Sequence, residues 1–519
     1  MILLTADEMQ TVDRAAIDMG MEELILMETA GRSVAARAYS RWQDEIWGEI
    51  VILAGGGNNG GDGLVAARYL DSWGAAVRVL MLKPPSELSG VNRQNFTMCD
   101  INNVNFTYVQ ETDPQNIEAI INNSGLIIDA LLGTGLKGEV RGRATDIIEL
   151  ANKSESPTVA VDIPSGINAT TGEVLGSAIE ADMTVTMQEA KLGHELYPGR
   201  RYCGELVITD LNFPGKAYKN INPAHFKLTD REAVQLLPER PETGHKGTFG
   251  RVLVIAGSRK MPGAAILTAL SCLKAGAGLV ELAVPADISA NISGSAPEIV
   301  LRPLNSPAGQ LSRENLEEIR AAAEKADVIA VGPGLGQSES LEQLMRGLLK
   351  EISVPLIIDA DGINNLPDLS LIEAFEQELI LTPHPGEMGR LLDKQAAEIV
   401  DSKVQIARDF ARDKGVVLVL KGADTLTALP AGEIFVNPTG NQGMGTAGSG
   451  DVLTGLTAGL RAQGISGEKA ACLASYLHGR AGDLAAEDKS SYSLTAGDLM
   501  EYLGRAFNSL YNSQPGTQG

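Results

Sequence analysis

Ile50-Val51-Ile52-Leu53-Ala54-Gly55-Gly56-Gly57-Asn58-Asn59-Gly60-Gly61-Asp62-Gly63 decides the fold: a β-branched run passes straight into a glycine loop that opens a helix. That joint is the unit from which parallel sheets covered by helices are built. Working outward, short aliphatic runs at 77–82, 126–129, 158–162, 183–187 and 206–209 alternate with helical patterns. The alternation predicts a mostly parallel sheet with helices on both faces, a Rossmann-like three-layer αβα sandwich. The signal lapses over 212–223, a stretch with prolines, asparagines and lysines but no apolar period, and a domain boundary is expected there.

A second series of runs follows at 251–256, 279–284, 328–331, 356–359, 379–381 and 416–420. Runs at 425–429 and 434–436, split by Pro430-Ala431-Gly432, read as a β-hairpin. Helices are expected at 449–463, 469–486 and 496–507, then a polar, frayed end at 512–519. Two α/β domains result, 1–220 and 221–519, each long enough for its own core.

Composition narrows the partners. A net charge of −23 and a pI near 4.7 repel nucleic acid and anionic membrane surfaces, which points to small-molecule ligands. The four cysteines, Cys99, Cys203, Cys272 and Cys472, are scattered, so neither a disulfide framework nor a zinc site is indicated. The start has the character of neither a signal nor a transit peptide, and no window is apolar enough to span a bilayer, so a soluble cytoplasmic protein is expected.

Gly55, Gly57 and Gly60 match the dinucleotide fingerprint in the right context, yet an ordinary redox Rossmann domain does not follow. The second strand ends at Lys83-Pro84 with no acidic residue for a ribose, and Asp62 puts negative charge near the start of the helix. Asp129 and Asp162 fall at the carboxyl ends of parallel strands, where such sheets bind ligands. With Asn59 and Ser165 near them they make a hard-oxygen environment suited to a cation or to general-base chemistry. Any one of these aspartates is equally well explained as a turn or helix cap; the set together is not.

Leu26-Met27-Glu28-Thr29-Ala30-Gly31, Gly57 to Gly63, Asp129-Ala130-Leu131-Leu132-Gly133-Thr134-Gly135 and Val161-Asp162-Ile163-Pro164-Ser165-Gly166 resemble the NAD(P)H-hydrate epimerase family. The resemblance implies that Asn58, Asn59, Gly60, Gly61 and Asp62 contact the hydrate together with Gly133, Thr134, Gly135, Leu136, Lys137, Gly138 and Glu139. It implies that Asp162 holds or acts on the hydrate, and that Asn59, Asp129 and Ser165 bind K⁺. Thr29 stands where that family often has Asn.

A second glycine loop, Gly445-Thr446-Ala447-Gly448-Ser449-Gly450-Asp451, precedes an apolar helix. Amides at the helix start suit the charge of a transferring phosphoryl group, and Asp451 suits the proton of an attacking hydroxyl. An aspartate in the first turn is also ordinary helix chemistry, although the glycines around it weaken that explanation. Lys421-Gly422-Ala423-Asp424-Thr425 can bring a cation and a hydroxyl to a phosphate, and His384 is fixed between Pro383 and Pro385. Asp359-Ala360-Asp361-Gly362 ends a strand at the same edge.

With His245-Lys246-Gly247-Thr248-Phe249-Gly250 and Gly332-Pro333-Gly334-Leu335-Gly336, these segments resemble the ribokinase-like ADP/ATP-dependent NAD(P)H-hydrate dehydratases. The resemblance implies that Ala264, Gly334, Gly336, His384 and Asp451 contact the hydrate, that Lys421, Gly422, Ala423, Asp424 and Thr425 bind ADP, and that Gly450 lies against its AMP part. Ser449 replaces the Thr of many ribokinase relatives and keeps the hydroxyl.

Both halves together resemble the bifunctional repair enzymes of NADH hydrate and NADPH hydrate, with Asp162 and Asp451 as catalytic residues. K⁺ is then implied at the first site, Mg²⁺ with ADP or ATP at the second, and a homo-oligomer, a tetramer or larger. A small-alcohol kinase fused to a nucleotide-binding domain would use the same Gly448 to Asp451 loop. A non-catalytic scaffold would have no use for buried carboxylates.

Overall fold

The computed structural model describes residues 1–44, 48–306 and 308–512. The chain divides into two compact units, Ile2–His225 and Phe226–Gly519. The expected frayed end lies outside the described residues except for Asn512, the last residue of the helix Ala496–Asn512.

In the first unit seven parallel strands lie in the order Asn105–Tyr108, Val77–Met81, Glu49–Ala54, Ser124–Ala130, Thr158–Val161, Met183–Met187, Glu205–Thr209. Chain direction across the sheet reverses between Glu49–Ala54 and Ser124–Ala130, so the loops after these two strands diverge and open a crevice. Alternate side chains of one strand enter different cores: Ile50, Ile52 and Ala54 one, Val51 and Leu53 the other. Helices Glu23–Trp42, Asn58–Ser72 and Gly90–Ile101 close the first core, and Pro114–Asn122 and Arg143–Lys153 the second. This is the three-layer αβα sandwich.

The second unit repeats the scheme with strands Val300–Leu304, Leu279–Pro285, Arg251–Ile255, Val328–Val331, Leu356–Ile358, Leu379–Leu381 and Val417–Leu420, all parallel. Strands Leu426–Ala428 and Ile434–Val436 then pair antiparallel, as the expected hairpin. The order is that of the ribokinase-like fold. Helices Ser449–Ala462 and Gly467–Lys489 follow the hairpin.

Three expectations need correction. The segment of linker-like composition is packed: Leu211, Phe213 and Ala217 lie in the first core, and the division between units falls after His225. The strands expected to run through Asp162 and Asp359 stop at Val161 and Ile358, because the backbone turns left-handed at Asp162 (φ 63°) and at Ala360 (φ 49°). The strands Asn105–Tyr108 and Val300–Leu304, not foreseen at all, are the outer strands at the Asn105–Tyr108 edge of the first sheet and the Val300–Leu304 edge of the second.

The glycine loop of the first unit shows which glycines packing requires. A Cβ on Gly55 would sit 1.9 Å from the carbonyl oxygen of Leu131, whereas one on Gly57 would meet nothing within 4 Å. Gly55→Ala should therefore cost about 1–3 kcal/mol or more, and Gly57→Ala no more than about 0.5 kcal/mol. Urea unfolding followed by tryptophan fluorescence checks this, because Trp42, Trp47 and Trp73 are the chain's three tryptophans and all belong to the first unit. Equal midpoints for the two variants would show that the loop yields where its backbone looks fixed.

Candidate active sites

At the first crevice, the helix Asn58–Ser72 begins directly after the glycine loop. Asn58 is exposed at its start, while Asn59 turns inward and donates from Nδ2 to the carbonyl of Leu132 at 3.1 Å. Asp62 lies one turn inside the helix rather than in its first turn, so the charge expected at the helix start is set deeper. Gly60 admits no side chain, since a Cβ would come 2.1 Å from the Gly55 carbonyl, and a Cβ on Gly61 would have to displace the ends of the Asn92 and Met27 side chains. Gly133 packs against Asn59, with Thr134 beside it; from there the loop runs outward, with Gly135, Lys137, Gly138 and Glu139 exposed and Leu136 tucked onto the second core. Thr29 donates its hydroxyl to Ile25 of its own helix.

Asp129, Ser165 and Asn59 do come together. Ser165 donates from Oγ to Asp129 Oδ1 at 2.6 Å and from its backbone to Oδ2 at 2.7 Å. Leu132 donates its N–H to Ser165 Oγ at 2.8 Å. Asp129 is wholly buried, and burial pushes its carboxyl up to about 6 against these hydrogen bonds. No side-chain cation pairs with it among the described residues.

Asp162 sits on the strand end next to Asp129's, and its carboxylate meets a group that the sequence reading passed over. Lys191, on the short strand Ala190–Lys191, pairs with it at 2.5 Å. Burial would raise the Asp162 carboxyl, but the charge and hydrogen bond of Lys191 outweigh this and hold it below its ordinary value. Asp62 is pushed well above its ordinary range, first by burial and then by Asp162 and Asp13; Asp13 itself, buried among the same groups, rises to about 6. Near neutral pH Asp162 is therefore ionised beside Asp62, which burial and its acidic neighbours hold toward the protonated form, while Asp13 titrates just below neutrality. A lone lysine in Gln188-Glu189-Ala190-Lys191 reads as a surface residue, so no sequence signal marked it.

The second site lies at the carboxyl edge of the second sheet. Gly448 (φ 90°) caps the helix Ser449–Ala462, and Asp451 is in its first turn. Burial, then the charge of Asp359, raise the Asp451 carboxyl to about 7, with Lys421 opposing. Lys421 donates to Asp359 Oδ1 at 2.6 Å, and Thr454 to Oδ2 at 2.6 Å, so Asp359 ties a strand end to the helix that carries Asp451. Gly450 closes over this pair: a Cβ there would stand 3.2 Å from Lys421 Nζ.

His384 caps the helix Pro385–Leu392, its Nδ1 accepting from the amides of Gly386 and Glu387 at 2.9 and 3.2 Å. That leaves the proton of a neutral ring on Nε2, 3.4 Å from Glu387 Oε1. Gly334 (φ 66°) abuts Ala264, whose Cβ lies 2.8 Å from where a Gly334 Cβ would be, and the Gly336 amide donates to Asp361 at 2.8 Å. In the Lys421–Thr425 turn, Gly422 and Ala423 are exposed and Thr425 Oγ1 bonds the Gly422 backbone, but the Asp424 side chain is buried against Lys403. The turn thus offers backbone and a lysine rather than the Asp424 carboxylate. His478, unremarked in the sequence, faces Ser449 Oγ at 3.3 Å, and burial pushes its imidazole down to about 4.

Two family profiles match the chain: NAD(P)H-hydrate dehydratase over residues 252–505, and the YjeF-related protein N-terminus over residues 23–193. A bifunctional NAD(P)H-hydrate repair enzyme of Moorella thermoacetica is 41% identical over 511 residues, covering 97% of this chain and 96% of its own. Another, of Thermofilum pendens, is 39% identical over 506 residues, covering 97% and 95%. A solved ADP/ATP-dependent NAD(P)H-hydrate dehydratase of Bacillus subtilis, co-crystallised with ATP/Mg²⁺, is 32% identical, with a TM-score of 0.48, and covers 55% of this chain and 98% of its own. Two profiles in series and whole-chain identity to enzymes of the same two-part build leave one assignment: the chain belongs to the family of bifunctional NAD(P)H-hydrate repair enzymes.

Proposed function

We propose that the first unit, Ile2–His225, interconverts the R and S forms of NAD(P)H hydrate and that the second, Phe226–Gly519, dehydrates the S form to NADH or NADPH at the expense of ADP or ATP. One observation carries this reading: each unit has its own cluster of buried ionisable groups at the carboxyl edge of its own parallel sheet, around Asp162 in one and Asp451 in the other.

At the first site Asp162 acts on the hydrate, which lies between Asn58–Asp62 and the loop from Gly133 to Glu139. Asn59, Asp129 and Ser165 would hold K⁺. Asn59 and Ser165 both bond the Leu132 carbonyl, Ser165 also bonds Asp129, and a bound cation would supply the positive charge that the buried Asp129 lacks.

At the second site Ala264, Gly334, Gly336 and His384 enclose the hydrated ring, Lys421 to Thr425 hold the ADP, and Gly450 lies against its AMP part. Hydroxide leaves C6 of the ring poorly. Asp451 takes the proton of the C6 hydroxyl as its oxygen bonds to phosphorus and the nucleotide departs. Breaking of the C6–O bond with loss of a C5 proton then restores the dihydronicotinamide and releases phosphate. Among the described residues no group of three or more His, Cys, Asp or Glu is arranged for a metal, so Mg²⁺ is assigned to the nucleotide phosphates, whose charge it offsets.

A cytoplasmic setting is supported by four buried free cysteines, and no helix among the described residues is long and apolar enough to cross a membrane. Assembly into a tetramer or larger homo-oligomer is the family's expectation, to be read by light scattering.

The first test is absorbance at the reduced-nicotinamide band after mixing the protein with Mg²⁺, NADH hydrate and either nucleotide. Asp451→Asn should lower dehydration by about 10²–10⁴-fold and leave R/S exchange intact; recovery of more than about a tenth of the wild-type rate would remove Asp451 from the general-base role.

Because Asp451 must be ionised to accept a proton, dehydration should rise with pH through about 7, the value to which burial and Asp359 bring it. Asp359→Asn removes a like charge, so the acid limb should move to lower pH. A limb that stays in place would detach it from Asp451.

Asp162→Asn or Asp129→Ala should stop R/S exchange, so that only the S half of a mixed hydrate is consumed quickly. Complete consumption at the wild-type rate would place epimerisation elsewhere.

A further inference from the structure

Lys191 is a full-length lysine only 1% exposed, and a buried ammonium persists only where its protons are placed. All three are. They go to Asp162 Oδ1 at 2.5 Å, Thr186 Oγ1 at 2.9 Å and the Met187 carbonyl at 3.1 Å. Thr186 passes its own proton to the same Asp162 oxygen at 3.0 Å, and the Met187 amide reaches that oxygen at 3.3 Å. The backbone of the same residue is clamped too: the Lys191 amide donates to His194 Nδ1, and His194 Nε2 then donates to the Asp162 carbonyl, each at 3.0 Å. These bonds hold the left-handed Asp162 in place. Every hydrogen bond to its carboxylate lands on Oδ1, and among the described residues none reaches Oδ2.

We propose that Lys191 is the positioning residue of the first site: by saturating one oxygen of Asp162 it aims the other, as a charged acceptor, at the hydrate. The proposal rests on the assignment of epimerisation to Asp162. The groups facing that carboxylate are Lys191 and His194 from the segment after strand Met183–Met187, Asp62 from helix Asn58–Ser72 and Asp13 from helix Ala6–Asp18. Of these only Lys191 brings a full positive charge into contact with it. Without that charge, burial, the largest influence on the carboxyl, favours the protonated form of Asp162 against only the smaller pulls of His194 and the Met187 amide.

The test is the pH dependence of R/S exchange in the full chain. Lys191→Met should lower kcat at neutral pH by about 10²-fold, the lower range for loss of a proton acceptor, with KM changed far less. Its acid limb should move to higher pH, with activity recovering as pH rises. Thr186→Val keeps the charge but removes one bond to Oδ1, and should move the limb in the same direction by less. Tryptophan fluorescence reports whether each variant's first unit is folded, and if Lys191→Met is not, Thr186→Val decides. A uniform loss of rate with the limb unmoved in the folded variants would make Lys191 merely structural and overturn the proposal. Wild-type protein that does not exchange the epimers at any pH would instead overturn the assignment of the site.

Discussion

The first site depends on one close approach of backbone to backbone, Gly55 under the Leu131 carbonyl. Two parallel strands whose connections run opposite ways across the sheet end side by side, and their loops can share a crevice only if nothing projects between them. Once Gly55 permits this, Asn59 reaches Leu132, Leu132 reaches Ser165, and Ser165 reaches Asp129. In the second unit a glycine also lets neighbouring strand ends meet, at Gly332, where a Cβ would stand 1.8 Å from the Asp359 carbonyl. In both units glycine brings the strand ends together, and polar side chains then join them.

Charge is handled differently at the two sites. In the first, a lysine contacts one carboxylate among three and holds that one below its ordinary value while the other two are raised. In the second, Lys421 is bonded to Asp359 and not to Asp451, which is left with a proton affinity near neutrality. A carboxyl group at that balance can both take and return a proton at the pH of a cell. Burial is common to both; the partner chosen by the lysine sets the outcome.

What was legible in the sequence follows from how much surface each residue type must hide. Central strands are covered on both faces and read as unbroken apolar runs, so each was found within a residue or two of its ends. Asn105–Tyr108 and Val300–Leu304 are half-covered, four and five residues long, and one contains Pro303, which an edge tolerates. Their composition does not announce a strand. Asp129, Asp162 and Asp451 drew notice at the ends of strands or the start of a helix, where a cap explains one aspartate readily but a converging set less well. Lys191 and Thr454 did not, since a lysine or threonine in an ordinary context is marked only by the fold that buries it.

The unshared oxygen of Asp162 constrains how any epimerisation at this site can run. The two epimers carry their hydroxyl on opposite faces of the same ring, while the acceptor is a single point fixed by a rigid frame. With the ring held still, that point can face only one of them. Under the proposed assignment, a single aimed acceptor differs from two bases astride a substrate: the change of face between the epimers then falls to the ring and not to a second carboxylate.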